Sequence, residues 1–142
     1  MPGVMLSLPG EPMPNARYAA ISGQQFIGGQ RRAEGEAALL SLRADDGQPT
    51  GYRFHQATAA ETAAAAEAAA AAFAPYSQLS AEQRANFLDA IAEEIDALDD
   101  VFFAFAMQET ALPLARLSGE RARTSGQMRL FATLLRRGDV EG

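Results

Sequence analysis

The sequence predicts a mostly α-helical polypeptide that begins with a short region of β-strands. Residues 24–57 contain short apolar runs separated by glycine- and proline-containing turns, which is typical of paired strands. Residues 58–142 instead carry helix caps and apolar side chains at three- and four-residue spacings, which favour helices. Residues 1–23 are rich in Pro, Gly and other small residues without any period, so we expect a mobile tail there.

Composition narrows the class of protein. With 142 residues, of which 48% are hydrophobic, the chain is long enough for one domain with its own core. A net charge of −6 counts against nucleic-acid binding, because phosphate contacts need a basic surface. The chain contains no cysteine, which excludes disulfides, thiolate metal sites and a cysteine nucleophile within it. We see no signal peptide and no membrane-spanning run, so we expect a cytoplasmic protein.

The β region is predicted from three short runs. An apolar pair followed by two glycines at residues 26–29 indicates a strand that ends in a tight turn. Residues 38–43 form a second apolar run, and residues 45–51 have the composition of a turn. Residues 52–55 alternate apolar and polar side chains, as a half-buried strand does. We therefore expect a β-meander or a pair of hairpins.

Two capping boxes predict the first two helices. Thr58 is followed three residues later by Glu61, and this helix should reach Phe73 and stop near Pro75. Ser80 and Gln83 repeat the pattern at the start of the next helix. The expected buried stripe of that second helix consists of four large apolar residues: Phe87, Ile91, Ile95 and Leu98.

The last two helices are more apolar. Residues 101–107 include three phenylalanines and should be buried on most sides. After a break at Leu112 and Pro113, the final helix should run from Pro113 to about Arg137 and end at Gly138. Its expected stripe is Leu114, Leu117, Thr124, Met128, Phe131 and Leu135, with Leu130 and Leu134 on a second face. That second face needs a further partner, so we expect exposed apolar surface at residues 127–135 that is covered by self-association or by a neighbouring molecule in a crystal. We interpret the segment as the opening of a larger domain.

The order of these elements resembles the N-terminal part of the aldehyde dehydrogenase superfamily. Two stretches carry the resemblance, Phe-His-Gln-Ala-Thr at residues 54–58 and Glu-Thr-Ala-Leu-Pro at residues 109–113. The sequence Arg-Leu-Ser-Gly-Glu-Arg-Ala-Arg-Thr-Ser-Gly-Gln-Met-Arg-Leu-Phe-Ala at residues 116–132 looks like the α-ketoglutaric semialdehyde dehydrogenase branch. The resemblance covers roughly residues 21–140.

The resemblance implies an α/β fold for the full enzyme, in which residues 58–142 form the helical part of an incomplete NAD(P)-binding domain. It also implies oxidation of a small aldehyde with NAD or NADP in a cytoplasmic homo-oligomer. The family's catalytic cysteine, general-base glutamate and oxyanion asparagine have no counterpart here, so we assign no catalytic or cofactor-binding residue and expect the segment alone to be inactive. The alternative is a helical scaffold or interaction module without enzymatic activity.

Three residues are candidates for substrate binding. Gly119, Arg123 and Gln127 lie four residues apart and therefore share one helix face. The resemblance places this helix beside the substrate tunnel, and a guanidinium can bind a substrate carboxylate through two hydrogen bonds. The alternative is a structural ion pair from Arg123 to Glu120 or another segment, with the glycines easing helix packing.

Three other features receive structural interpretations. His55 is the only histidine and has no partner at a catalytic spacing, so we expect a surface or strand-end residue. Gly28 and Gly29 lack the spacing of a phosphate-binding loop and indicate a hairpin turn. The acidic run at residues 93–100 does not match a calcium loop and should be a solvated helix face, so we assign no metal site.

Overall fold

The structure is a computed structural model that describes residues 21–138. Across this range, four strands come first and four helices follow, which confirms the fold class expected for the segment. The elements are β1 (Gln25–Ile27), β2 (Gln30–Arg32), β3 (Ala38–Leu42), β4 (Pro49–His55), α1 (Ala59–Ser77), α2 (Ala81–Asp96), α3 (Asp100–Thr110) and α4 (Leu114–Arg137). Most of the tail expected at residues 1–23 lies outside the described residues.

The first hairpin pairs β1 with β2 in antiparallel register, with Gln25 opposite Arg32. Its turn consists of Gly28 and Gly29, whose φ angles are 58° and 78°. Both values lie in the left-handed region, which glycine adopts without steric cost and which matches the twist of a two-residue hairpin. The predicted turn is therefore confirmed.

The second hairpin pairs β3 with β4, also antiparallel, with Ala38 opposite His55. The turn predicted for residues 45–51 is too long, because β4 already begins at Pro49. Pro49 lies opposite Leu42 as the first residue of its strand, where proline is tolerated although it cannot donate a hydrogen bond.

Gly23 joins the two hairpins. The backbone N–H of His55 donates to the carbonyl of Gly23 at 2.8 Å, and the Gln25 amide donates to the carbonyl of His55 at 2.6 Å. Gly23 has a φ of 68°, and a Cβ at this position would lie 2.0 Å from the Arg53 carbonyl oxygen. Glycine is therefore required where the two hairpins meet.

Helix α1 begins at the predicted capping box, since the Thr58 hydroxyl accepts from the backbone of Glu61. The helix ends at Ser77, two residues after Pro75, which agrees with the stop predicted near Pro75, although the helix extends past Phe73. Only two helical residues follow the proline, and the helix end is closed by other bonds: the Ser77 hydroxyl donates to the Ala74 carbonyl at 2.9 Å, and Leu79 N–H donates to the Tyr76 carbonyl. The lost donor therefore affects only the helix end.

The core lies mainly between α2 and α4, and small residues form its centre. Ala85 and Ala92 on α2 and Ala132 on α4 are fully buried, and Ser125 is nearly so. The predicted stripes are wrong at four positions, because Phe87, Leu114 and Phe131 are 52%, 48% and 54% exposed and Thr124 is exposed as well. Small side chains let the two helices approach closely, so larger residues are displaced to the margins of the contact.

Helix α3 packs beside this pair through one face. Phe103 is 5% exposed, whereas Phe102 and Phe105 are half-buried and Met107 is exposed. Burial on most sides was therefore the wrong expectation for residues 101–107. Asp99 caps the helix by accepting from Val101 N–H, and the helix ends at Ala111 with a φ of 55°.

Candidate functional site on the outer face of helix α4

Helix α4 has two faces with different environments. The inner face, which packs on α2 and α3, contains buried Ser125 and Ala132 and half-buried Arg121 and Met128. A residue about half a helical turn away points in the opposite direction. We call that opposite side the outer face and define it by Gly119, Arg123, Gly126, Gln127 and Leu130, all of which are exposed.

The three predicted substrate-binding residues share this outer face, as their spacing indicated. Arg123 takes part in no ion pair among residues 21–138. The alternative partner considered for it, Glu120, instead accepts from Arg116 one turn earlier, at 2.9 Å from its Nε. Arg123 is therefore exposed, and its guanidinium forms no hydrogen bond or ion pair within residues 21–138.

The two glycines on the outer face do not ease packing within the described residues. A Cβ built on Gly119 or on Gly126 would meet nothing within 4 Å. Leu130 and Phe131 nearby are each about half exposed, so the expected exposed apolar surface at residues 127–135 is present. The outer face thus combines an available guanidinium, open space and uncovered apolar side chains.

Arginine side chains of α4 bind its inner side to α2 and to the junction between α2 and α3. Arg121 donates to the carbonyl of Leu98 at 2.6 Å, and its guanidinium carbon lies 5.0 Å from the centre of the Phe103 ring. Leu98 lies between α2 and α3, so this one side chain contacts the junction of both helices. A charge-assisted hydrogen bond and a cation–π contact act together here.

Arg129 makes the second of these arginine contacts, with Asp96 on α2. The Asp96 carboxylate lies 2.7 Å from the Arg129 guanidinium. The pKa of Asp96 is lowered, first by hydrogen bonding with the Ser125 hydroxyl and then by Arg129, because both favour the charged form. Glu93, Glu94, Asp96 and Asp100 are exposed, which agrees with the solvated face predicted for residues 93–100, although Asp96 also pairs with Arg129 and the half-buried Asp99 caps α3.

Arg136 makes the third contact and reaches three side chains of α2. Its nitrogens lie 3.2 Å from Glu82, 2.7 Å from Asn86 and 2.8 Å from Asp89. These contacts were not predicted, although the sequence contains a signal for them. Acidic residues recur every seven positions at Glu82, Asp89 and Asp96, and Arg129 and Arg136 have the same separation. Opposite charges with a shared heptad spacing indicate two helices that pair side by side.

Two glutamates connect the helices to the hairpins. The buried carboxylate of Glu61 accepts from the backbone N–H groups of Glu34 and Thr58, each at 2.9 Å. These bonds lower the pKa of Glu61, because they stabilise the carboxylate. Glu109, in the Glu-Thr-Ala-Leu-Pro stretch, accepts from the hydroxyl of Ser41 on β3. Both residues therefore have structural partners, of which only the capping role of Glu61 was predictable from the sequence.

Comparison with known proteins identifies the family. The family model described as "Aldehyde dehydrogenase family" matches residues 39–142. The chain belongs to the aldehyde dehydrogenase family. It is 52% identical over 121 residues to "Alpha-ketoglutaric semialdehyde dehydrogenase" of Acinetobacter baylyi, covering 85% of this chain and 23% of the relative. It is 41% identical over 119 residues to "Alpha-ketoglutaric semialdehyde dehydrogenase 2" of Azospirillum brasilense, covering 83% of this chain.

The matched part of these relatives is small. The aligned region spans 23% of the length of each of the two curated relatives. The family and the branch suggested by residues 116–132 are nevertheless confirmed, because both relatives carry the name of that branch. The activity named for the relatives is a property of proteins about four times as long as the aligned region.

Other features of this aldehyde dehydrogenase chain do not fit a cofactor or metal site. Gly28 and Gly29 connect two strands, whereas a dinucleotide phosphate binds between a strand and the N-terminus of a helix. His55 is the last residue of β4, as predicted, and it is half-buried. Among residues 21–138 no group of His, Cys, Asp and Glu could hold a metal ion, and no helix there is long and apolar enough to cross a membrane.

Proposed function

We propose that this chain is the N-terminal part of an NAD(P)-dependent enzyme that oxidises α-ketoglutaric semialdehyde to the dicarboxylate. The names of the two relatives support this substrate, and membership of the family supports aldehyde oxidation. The nicotinamide takes the hydride of the aldehyde, and water supplies the second oxygen of the new carboxylate. Three catalytic groups belong to polypeptide beyond these residues: the nucleophilic cysteine, the general base and the oxyanion asparagine. The complete enzyme in this proposal is a cytoplasmic homo-oligomer.

Arg123 recognises the carboxylate of the substrate in this proposal. The observation that supports it is the exposed guanidinium on the outer face of α4, which has no ion-pair partner among residues 21–138. A planar guanidinium can donate two parallel hydrogen bonds to one carboxylate. Gln127, one turn further along, adds an amide donor, and Gly119, one turn before, leaves room for the ligand.

Substitution of Arg123 in the complete enzyme tests this role. Arg123→Ala should raise the KM for α-ketoglutaric semialdehyde about tenfold or more, because it removes charge-assisted hydrogen bonds to the carboxylate. The KM for pentanal, an aldehyde of the same chain length without a carboxylate, should stay within about twofold. Arg116→Ala is the matched control, since it removes the same charge from the same exposed helix. An unchanged KM for the keto-acid aldehyde in Arg123→Ala would exclude the proposed contact.

Residues 58–142 supply the helical part of an incomplete NAD(P)-binding domain in this proposal, and the cofactor contacts lie elsewhere in the enzyme. The 142-residue chain alone should therefore show no aldehyde-dependent formation of NAD(P)H. The same absorbance assay on the complete enzyme is the positive control. Measurable turnover by the chain alone would contradict this assignment.

A further inference from the structure

The part of α4 that carries Arg123 is bounded by residues of low helix propensity. Residues 119–126 begin and end with glycine, which is the least favourable interior helix residue after proline. Their outer side has no neighbour within the described residues, since a Cβ on either glycine would lie in open space. The conformation of this stretch therefore depends on the contacts that its inner face makes.

Arg121 makes two of these inner contacts. It lies two residues before Arg123, and its side chain is half-buried between α2 and α3. The 2.6 Å hydrogen bond to the Leu98 carbonyl and the contact with the Phe103 ring fix both the position and the plane of its guanidinium. Phe103 is itself buried, so Arg121 is attached to a rigid part of the molecule.

The inner contacts set the direction in which Arg123 points. The two side chains project from nearly opposite sides of the helix, so a rotation of the stretch about its axis moves both. A rotation of about 20° would displace a group roughly 6 Å from the axis by about 2 Å. Two parallel hydrogen bonds do not tolerate such a displacement, and an error of about 1 Å in substrate placement can reduce the rate about a hundredfold.

We propose that Arg121 is a positioning residue for substrate discrimination: by anchoring α4 to the α2–α3 junction and to Phe103, it holds Arg123 in the orientation that receives a carboxylate. This role rests on the function proposed above for Arg123. Arg121 makes no contact with the substrate, and its effect on specificity passes entirely through the rotation of residues 119–126.

The test compares three variants of the complete enzyme with two aldehydes, α-ketoglutaric semialdehyde and pentanal. Arg121→Met keeps the length of the side chain but removes the hydrogen bond and the ring contact. It should raise the KM for the keto-acid aldehyde about five- to tenfold and change the KM for pentanal less than about twofold. Arg116→Met removes the same charge from the same helix, so it controls for the long-range field. Arg121→Lys retains a donor and should give an intermediate loss of discrimination, which tests the role even where Arg121→Met does not fold.

A double substitution separates positioning from a general loss of stability. In an Arg123→Ala background, adding Arg121→Met should cause no further change in the ratio of the two KM values, because the group being positioned is absent. Equal losses for both aldehydes, or a second full loss of discrimination in the double variant, would overturn the positioning role. If Arg123→Ala itself leaves discrimination intact, the proposed function fails first. An effect of Arg123→Ala with no effect of Arg121→Met or Arg121→Lys rejects only the inference about Arg121.

Discussion

Helix α1 and the bundle formed by α2, α3 and α4 use similar residues in opposite ways. Most alanines of α1 are exposed, and Phe73 near its end is 72% exposed. In the bundle, Ala85, Ala92 and Ala132 are the fully buried centre of the contact between α2 and α4. Alanine therefore supports α1 through helix propensity and supports the bundle through close approach of two helices.

Helix α1 and the bundle also differ in how they are bound to the rest of the chain. α1 is held at its first turn, where the Glu61 carboxylate binds the backbone of Glu34 and Thr58, and near its end by an edge-on contact between the Tyr76 and Phe87 rings. In the bundle, arginines of α4 bind α2 and the α2–α3 junction at several levels along the helix. We infer that the bundle unfolds as one unit, and that α1 can fray without it.

The largest expected difference is between two phenylalanines. Phe103→Ala should lower the free energy of unfolding by about 3 kcal/mol, because it leaves a cavity beside Arg121 and removes buried apolar surface. The same substitution at Phe73 should change it by no more than about 0.5 kcal/mol, because that ring is exposed. Urea denaturation followed by circular dichroism measures both. Similar losses at the two positions would show that α1 is packed as tightly as the bundle.

A larger side chain in place of one alanine in the bundle and one in α1 tests the same difference in packing. Ala92→Leu places three extra carbons in a fully buried contact and should lower the free energy of unfolding by about 2 kcal/mol. Ala70→Leu in α1 should be nearly neutral, since Ala70 is exposed and leucine is a good helix former. The two urea midpoints are the measurement. A neutral Ala92→Leu would mean that α4 is not held close to α2.

The two helix ends at Ala111 and Gln78 should respond differently to glycine. Ala111 ends α3 with a φ of 55°, a conformation that costs a residue with a Cβ about 1 kcal/mol. Ala111→Gly should therefore raise the free energy of unfolding by up to about 1 kcal/mol. Gln78 ends α1 with a φ of −83°, so Gln78→Gly relieves no backbone strain and should not raise the free energy of unfolding. Thermal unfolding compares the two, and a loss of stability in Ala111→Gly would contradict the expectation.

Protonation of Glu61 is expected to have the smallest effect on the free energy of unfolding of the whole chain. Its expected effect is local and concerns the stability of α1. The pKa of Glu61 lies below the ordinary value of 4.5 in the folded chain, so its contribution is present above that value and is lost as the pH falls through the lowered pKa. Amides of α1 should therefore lose hydrogen-exchange protection on acidification from about pH 6 to about pH 3, before those of α2 and α4. Glu61→Gln should remove this pH dependence. Simultaneous loss of protection in all helices would show that α1 and the bundle are one cooperative unit.

Local chemistry made much of the fold predictable from the sequence. The capping boxes that begin at Thr58 and Ser80 satisfy helix N–H groups through residues only three positions away. The turn at Gly28 and Gly29 and the helix end at Gly138 depend on backbone conformations that glycine favours. Each of these signals is complete within a few residues, so no knowledge of the tertiary structure was needed.

The buried faces were harder to predict, because they depend on which helices meet and how closely. Hydrophobicity favours Phe87 and Phe131 for the core, whereas a close contact between helices selects Ala92 and Ala132. The candidate site was likewise only partly predictable from the sequence. Spacing alone showed that Gly119, Arg123 and Gln127 share a face, but the binding of a carboxylate there stays a prediction because its other walls are not formed by the described residues.

The contact between Arg136 and Asn86 has a consequence for how α4 sits along α2. Alanines and acidic residues of α2 recur every seven positions, so a slide of about 10 Å would bring alanine onto alanine and carboxylate onto arginine again. Asn86 does not recur, because the position seven residues later is Glu93 and the one seven residues earlier is Leu79. Its side-chain oxygen, which accepts from Arg136 at 2.7 Å, therefore joins the Arg121 contact to Leu98 in favouring the observed alignment over one shifted by seven residues.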